Sequence, residues 1–417
     1  MRNWMNIAGR LALWTACLLA PSADAKGATG AGEASGSSPN NMLIATISPS
    51  ELLRSTPAAS ILESTYPTEE LHRLFDDWRE TFGRSYESDP PHEAALRKLT
   101  FLKNHAFIEE HNQAGHDWKL GHNEFSDLSQ EEFMERMKLG KHSPGVFKPR
   151  GRSDGRLVSA GARSLRSLAA DVEEDEFEGN AGEYDDLEVP DEKNWVEEGA
   201  VSSVKNQWFC GACWAFSAVG AIEGARAIKT GNLTDLSMQQ LLDCDDTDMG
   251  CGGGLMNWAF QYDEDSVGLC SLNDYPYAYH RHWFWGCSRY APYCTPIPDT
   301  RVSKYVNITE TEEDLKAAIA IQPVSVAVMA DGVSWQFYRD GIYSSPCEDP
   351  KTINHGVLAV GYGSDENGDY WLVKNSWGGY WGQGGYIKLG RNVGSESVGG
   401  SSCILTLASR PILKDEE

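Results

Sequence analysis

The chain has 417 residues, 41% of them hydrophobic, and a formal net charge of −25 at pH 7. This length is enough for two or three domains of ordinary size. So acidic a chain argues against nucleic acid as a partner, because carboxylates and phosphates repel each other.

The first 25 residues have the pattern of a secretory signal peptide. Arg2 and Arg10 flank a short apolar core, and residues 23–25 have the small-x-small form of a cleavage site. An apolar run of about ten residues is too short to cross a bilayer, so no membrane span is expected. Residues 26–64 are rich in Gly, Ala, Ser and Pro, which predicts a disordered spacer.

Two amphipathic helices are predicted next, one over residues 71–78 and a longer one that begins after Pro90 and Pro91. In the longer helix, six residues spaced three or four apart fall within one arc of about 100°. Four of the six are polar, which an ordinary core stripe does not explain. A second motif follows at alternate positions over residues 121–127. The six residues are Glu93, Arg97, Phe101, Asn104, Ile108 and Asn112, and the second motif contains Gly121, Asn123, Phe125 and Asp127.

Residues 141–188 change from a basic, Ser/Gly-rich piece to an acidic run, which predicts a flexible, protease-sensitive linker. Beyond it, residues 200–300 have helical patterning and most of the cysteines. Residues 301–410 alternate apolar and polar side chains, which predicts strands. Two unlike halves that face each other form a cleft, so we expect an α+β fold with its ligand between the halves.

A cysteine stands where a loop turns into a helix. The helix predicted from Cys213 to Lys229 ends naturally at Gly231. A thiol at the first turn feels the positive end of the helix dipole, which favours the thiolate. Far downstream lie His355 and Asn375. A lone Cys or His is usually structural, so the catalytic interpretation of Cys213 depends on the motifs around these residues.

With these motifs the chain resembles the papain family of cysteine proteases, and within it the zymogens of cathepsin L-like endopeptidases. The match is carried by residues 207–216, by His355 and Asn375 in their local motifs, and by the ERFNIN and Gly-x-Asn-x-Phe-x-Asp patterns of the propeptide. It implies a papain-like two-domain fold, with a helical left domain and an antiparallel β-barrel right domain, preceded by a small helical prodomain. The expected boundaries are 1–25 for the signal peptide, 26–64 for the spacer, 65–140 for the inhibitory prodomain, 141–188 for the linker and 189–417 for the protease.

The resemblance implies a role for each site residue. Cys213 is the nucleophile, His355 is its imidazolium partner, and Asn375 orients the His355 ring. Trp377 shields that pair from water, and the Gln207 amide stabilises the oxyanion beside the Cys213 N–H. No cofactor and no metal is expected, because no zinc-type spacing is present.

The resemblance also implies the substrate contacts. Gly253 and Gly254 would offer bare backbone to an extended peptide. Trp377 and Trp381 would form an apolar shelf on the primed side. The pocket for the P2 side chain has no acid and predicts a preference for bulky apolar residues. Its expected lining is Leu255, Met256, Ala327, Ile353, Gly356 and Ala408.

Nine cysteines remain once Cys17 leaves with the signal peptide, and an oxidising compartment is expected. By resemblance, Cys213 is the free cysteine. The implied disulfides are Cys210–Cys251, Cys244–Cys287 and Cys347–Cys403, and the remaining Cys270 and Cys294 are expected to bridge each other. Two sequons, at Asn232 and Asn307, fit a secretory route and predict glycosylation on exposed loops.

Three features depart from the family pattern. Trp208 replaces a usual glycine beside the oxyanion loop, and Asn354 replaces a frequent aspartate beside His355. Residues 279–285 form an unusual insert with two histidines, which raises exopeptidase action as an alternative, although the surrounding layout is that of an endopeptidase.

The expected partners are protein and peptide substrates, the chain's own propeptide and cystatin-type inhibitors. We expect a monomer bound for a lysosome, a vacuole or the exterior of the cell. Two further alternatives stay open at this point. The region from Lys26 to about Arg150 could act alone as an inhibitor module, or the chain could be a catalytically silent homologue, against which the intact set of site residues argues.

Overall fold

The computed structural model describes residues 68–139, 184, 187–280, 287, 294–347, 349–392 and 399–415. The expected signal peptide, the spacer and nearly all of the linker lie outside these residues. Within the described ranges, no helix is long and apolar enough to cross a membrane.

Residues 68–139 form an N-terminal helical segment. Its core lies between the first two helices, where Phe75 and Trp78 of α1 pack against Phe101 of α2. Helix α2 begins with a proline at its first position and ends at Gly115 in the left-handed conformation. A capping box between Ser129 and the third residue of α3 begins the last helix. The elements are α1 (Thr68–Thr81), α2 (Pro91–Ala114), β1 (Trp118–Leu120) and α3 (Gln130–Met137).

The helical half of the remaining chain is built around α4 (Cys213–Thr230). Most of its residues are buried on every side, which is typical of a helix that runs through a core. It ends at Gly231 in the left-handed conformation, as predicted. Helices α5 (Met238–Cys244) and α6 (Met256–Asp265) pack beside it.

The second half is a sheet whose strands follow the order β1-β5-β8-β7-β6-β4-β9-β3, with β2 paired to β6. Most pairs are antiparallel, but β5 and β8 are parallel. Helix α7 (Glu312–Ile321) interrupts the strands, because Thr311 caps the N–H of Asp314 and an alanine-rich turn follows. The strands are β2 (Lys193–Asn194), β3 (Val302–Asn307), β4 (Val324–Val328), β5 (Tyr338–Tyr343), β6 (His355–Asp365), β7 (Gly368–Lys374), β8 (Tyr386–Gly390) and β9 (Ala408–Leu413), and a short helix α8 (Val333–Gln336) precedes β5.

All four implied disulfides are present: Cys210–Cys251, Cys244–Cys287, Cys270–Cys294 and Cys347–Cys403. The two sequons differ in setting. Asn232 is exposed in the turn after α4, whereas Asn307 is the last residue of β3 and is partly buried. The prediction of an exposed loop is therefore wrong for Asn307, because the residues before it pair with β9.

Candidate active site

Cys213 opens helix α4 and is the one cysteine outside a disulfide among the described residues. Burial raises the pKa of its thiol, while backbone N–H groups of Gly356, Trp214 and Cys213 itself lower it by less. Burial is therefore the larger influence on this thiol in the precursor.

His355 lies near the start of α4 because this helix packs on the first residues of β6. A Cβ on Gly356 would lie 3.3 Å from the backbone N of Trp214, so glycine is what allows the helix start to lie on the strand. Strand β6 pairs with β4 through Val328↔His355 and Ala327↔Gly356, which fixes the register. Cys213 and His355 consequently line the same cavity.

The His355 ring is held by two neighbours. Its Nε2 lies 2.8 Å from Asn375 Oδ1. The same oxygen accepts the Ser376 N–H at 2.8 Å, which identifies it as the amide's acceptor and makes Nε2–H the donor. The Trp377 ring stacks on the imidazole with centroids 4.7 Å apart. Nδ1 is the ring nitrogen that does not face Asn375.

Gln207 is fully buried and fixed by both halves of the chain. Its Oε1 accepts the Ser376 hydroxyl at 2.6 Å, and its Nε2 donates to Cys210 O at 3.0 Å. Its backbone N–H donates to Ser376 O at 2.8 Å. An amide nitrogen carries two N–H groups, so one donor remains for a further acceptor. The sequence analysis did not identify Ser376, although this residue directly follows Asn375 in the chain.

The cavity beside the thiol is apolar, and its lining corrects one expectation. Leu407 lines it instead of Ala408, which packs with the core on the other face of the sheet. Successive residues near a strand point to opposite faces, so a shift of one position exchanges the side chains. The residues present besides Cys213 and His355 are Gly254, Leu255, Met256, Ala327, Ile353, Asn354, Gly356 and Leu407.

Gly253 and Gly254 serve the loop itself. Gly253 has a φ of 111°, its N–H donates to Gly250 O, and its carbonyl accepts the Met249 N–H. A Cβ on Gly254 would lie 2.3 Å from Asp248 Oδ1, so glycine is required there by packing. Asn354 is structural as well, since its Oδ1 accepts the Ala330 N–H at 2.9 Å.

Trp381 does not form part of an exposed shelf. It is buried between Trp335, stacked at 5.7 Å, and Trp377, edge-on at 5.0 Å. Trp381 is therefore not exposed in the precursor, and its part in a primed-side shelf of the mature enzyme stays a prediction. Trp377 is covered by two rings of the N-terminal helical segment, Phe125 at 6.4 Å and Phe133 at 5.2 Å.

The N-terminal helical segment joins the sheet edge by backbone pairing and side-chain amides. Strand β1 pairs antiparallel with β5. Asn123 Nδ2 donates to Gln336 O at 2.6 Å, and Gln336 Nε2 donates back to the carbonyls of Phe125 and Leu128 at 3.1 Å each. These bonds satisfy buried polar groups on both sides, so the contact is specific in register.

The polar stripe of α2 also has a physical explanation. Arg97 bridges Glu93 at 2.9 Å and Glu132 at 2.8 Å. Asn104 donates to the carbonyls of Ser126 and Leu128, and Asn112 exchanges two bonds with the Leu120 backbone. The polar members therefore hold the loop that contacts the sheet, while Phe101 and Ile108 are buried.

Within the described ranges, no group of three or more His, Cys, Asp or Glu side chains is placed to hold a metal ion.

Residues 189–406 match the papain family of cysteine proteases, and residues 75–133 match the cathepsin propeptide inhibitor domain. The chain belongs to the papain family. Its relatives include cysteine protease XCP2 of Arabidopsis thaliana, 40% identical over 78% of this chain and 82% of that protein. Cathepsin S of Mus musculus is 37% identical over 78% of this chain and 87% of its own length.

Solved proenzymes have the same fold. The proform of the ragweed pollen cysteine protease Amb a 11 superposes with a TM-score of 0.66 at 35% identity, covering 85% of this chain and 97% of that one. Digestive procathepsin L 3 of Tenebrio molitor gives 0.64 at 32% identity, covering 82% and 99%. This papain-family chain is therefore a cysteine endopeptidase with its own inhibitor, and the N-terminal helical segment is its propeptide domain.

Proposed function

We propose that Cys213 and His355 hydrolyse peptide bonds as a thiolate–imidazolium pair. The observation that carries this is the single free cysteine of the described residues, at a helix start, sharing a cavity with a histidine whose far nitrogen is bound to Asn375. The thiolate attacks the carbonyl carbon, and a C–S bond forms. His355 gives its proton to the leaving nitrogen as the C–N bond breaks, and water then hydrolyses the thioester.

The buried, neutral thiol suits a latent precursor. When the cleft opens to water, the burial that raises the Cys213 pKa is reduced, and the helix N-terminus and His355 then favour the thiolate. The second N–H of Gln207 and the Cys213 N–H would stabilise the oxyanion. Because Gly253 uses both backbone groups inside its loop, backbone pairing with the substrate would fall to Gly254.

A titration of the activated enzyme with an epoxide-type thiol inhibitor tests the mechanism. We expect one inhibitor bound per chain, attached to Cys213, and no binding by a Cys213→Ala variant. A His355→Ala variant should react slowly at acid pH, because it loses the partner that keeps the thiol ionised. Labelling at another residue, or fast labelling of His355→Ala, would contradict the assignment.

We propose a preference for bulky apolar side chains at P2. The cavity beside the thiol contains Leu255, Met256 and Leu407 and no acidic side chain. A fluorogenic series that varies only P2 should favour Leu and Phe over Arg. Equal use of Arg and Leu would contradict this proposal.

We propose that the precursor follows the secretory route to a lysosome, a vacuole or the cell exterior, with Asn232 as the better glycosylation site. The proposed boundaries are those expected from the sequence, with maturation near Val189 at acid pH. Full-length Cys213→Ala should stay intact at pH 4–5, while the active chain shortens. Equally fast processing of both would exclude self-activation. We also propose that the enzyme is a monomer and that it binds cystatin-type inhibitors.

A further inference from the structure

Two large aromatic side chains stand exposed on the loop that also holds Gln207. Trp208 is 47% exposed and Phe209 is 51% exposed, with ring centroids 6.4 Å apart. Apolar rings displayed together on a protein surface often mark a binding site.

The backbone of this loop is held in one conformation, which fixes the points from which the two rings project. Trp208 has a φ of 52°, a conformation that bulky residues rarely adopt, and its N–H donates to Asn206 Oδ1 at 2.8 Å. The Cys210–Cys251 disulfide and the hydrogen bonds of Gln207 hold the loop on either side of the pair.

A contact with the propeptide indicates that the Phe209 ring can bind a cation. The guanidinium carbon of Arg136 lies 5.2 Å from the Phe209 ring centroid, within the range of a cation–π contact. Phe133, three residues earlier on α3, packs edge-on against Trp377, which stacks on His355. One face of α3 therefore places a phenylalanine ring on Trp377, which stacks on the catalytic histidine, and a cation on Phe209.

We propose that Phe209, with Trp208 beside it, selects a basic side chain of the substrate on the C-terminal side of the cleaved bond. The substrate's Arg or Lys takes the place that Arg136 of the propeptide holds in the precursor. This inference rests on the proposed function and extends it, since neither Trp208 nor Phe209 lines the P2 cavity. Residues 189–417 contain 16 Lys and Arg against 30 Asp and Glu, a net charge of −14, which further favours cationic peptides.

Arginine should bind better than lysine, because a planar guanidinium can stack on a ring and sheds its water more easily than an ammonium group. For a half-exposed ring, a cation–π contact corresponds to a preference of about two- to fivefold over a neutral side chain.

The test uses activated enzyme and quenched fluorescent peptides that share one sequence and one apolar P2 residue. The first or second residue after the cleaved bond is Arg, Lys, Gln or Leu, and a parallel set makes the same changes before the bond. We expect Arg to exceed Gln in kcat/KM by about two- to fivefold, after the bond only.

Phe209→Leu keeps an apolar side chain but removes the ring, and Phe209→Tyr keeps the ring. The Arg-to-Gln ratio, measured within each variant, should fall to about one in Phe209→Leu and persist in Phe209→Tyr. A wild-type ratio of one, a ratio unchanged in Phe209→Leu, or a preference located before the bond would overturn the proposal. Failure of the wild-type enzyme to cleave any peptide in the series would instead overturn the proposed function.

Discussion

The propeptide domain contains a largely buried pair of histidines whose response to acid can be compared with that of buried carboxyl groups in the protease domain. In the propeptide, His105 Nδ1 lies 3.1 Å from His122 Nε2, and the His122 ring stacks on Phe101 at 4.4 Å. Burial, followed by the charges of His105 and Arg339, lowers the pKa of His122 to about 3. Burial also lowers the pKa of His105, against the opposing charges of two glutamates, Glu109 and Glu70.

Two aspartates of the protease domain provide the comparison. Burial raises the pKa of Asp263 in α6 to about 6, although its hydrogen bonds from Ser266 and the Val302 N–H act the other way. Burial and the charge of Asp245 likewise raise the pKa of Asp248, behind the glycine loop.

The lowered histidine pKa and the raised aspartate pKa change the free energy of unfolding in opposite directions as the pH falls. A histidine whose pKa falls on folding contributes stability above pH 6.5 that is lost as the pH falls toward 3. An aspartate whose pKa rises on folding contributes stability at low pH that is lost as the pH rises from 3.8 through 6. Between pH 7 and 4.5, His122 removes about 2–3 kcal/mol from the propeptide, while Asp263 adds about 2 kcal/mol to the protease. His122 thus acts to loosen the propeptide in acid, and Asp263 acts to stabilise the protease.

The two domains also differ in covalent cross-links, because all four disulfides lie in the protease domain. The largest expected effect concerns one of these disulfides. The double change Cys347→Ser and Cys403→Ser opens a bridge with a sequence separation of 56 residues. It should reduce the free energy of unfolding of the mature enzyme by about 4 kcal/mol, since the unfolded chain regains its freedom. Urea unfolding at pH 5 measures this. Unchanged stability would show that the sheet needs no covalent support there.

Next in size is the replacement of the buried histidine. His122→Phe keeps a ring on Phe101 but cannot take up a proton. In full-length Cys213→Ala, hydrogen exchange over residues 68–139 should show a loss of about 2–3 kcal/mol between pH 7 and 4.5, and His122→Phe should reduce that loss to below about 1 kcal/mol. His92→Leu, which removes an exposed histidine of the propeptide, is the matched control. An equal loss of stability in acid in all three proteins would show that His122 does not cause the acid destabilisation of the propeptide.

Asp263→Asn should reduce the pH dependence of the stability of the protease domain. The buried amide carries no charge at any pH, so about 2 kcal/mol of the difference between pH 4.5 and 7 should disappear. Thermal unfolding of the mature, inhibitor-blocked enzyme at both pH values measures it. The control is Asp265→Asn, an exposed acid on the same helix, which should keep the wild-type slope.

The smallest effect is expected at Glu132. Burial acts to raise its pKa, but hydrogen bonds from Arg97 and the Ser129 backbone N–H, with the charge of Arg97, hold the pKa below its ordinary value. Its stabilisation is present above pH 4.5 and is lost below it, a lower window than that of His122. The Glu132 side chain is 41% exposed, so Glu132→Gln should cost the propeptide about 0.5–1 kcal/mol at pH 7. Hydrogen exchange with Glu131→Gln as the control would detect it, and an equal loss in both would argue against the Arg97 pair.

Much of the site could be predicted from local patterns. The start of α4 at Cys213 follows from the helix-forming run that Gly231 ends, and the strands over residues 355–374 follow from apolar runs. The polar stripe on α2 was predicted to need an explanation beyond core packing, and the structure supplies it in the backbone bonds of Asn104 and Asn112.

Other features depend on how elements meet. Leu407 replaces Ala408 in the cavity because pairing across β4 and β9 decides which face each residue takes. Trp381 is enclosed by rings from Trp335 and Trp377, which no spacing along the chain predicts.

The sequence by itself determined the papain-family membership, the candidate nucleophile, base and orienting amide, and the order of propeptide and protease, because each is encoded in a short run of neighbouring residues. Only the tertiary structure decided which groups are buried together. Hydration, and with it the pKa of a histidine or aspartate, depends on atoms brought close from distant parts of the chain. The opposite acid responses of His122 and Asp263, and the cation seated on Phe209, therefore emerge only when the chain is folded.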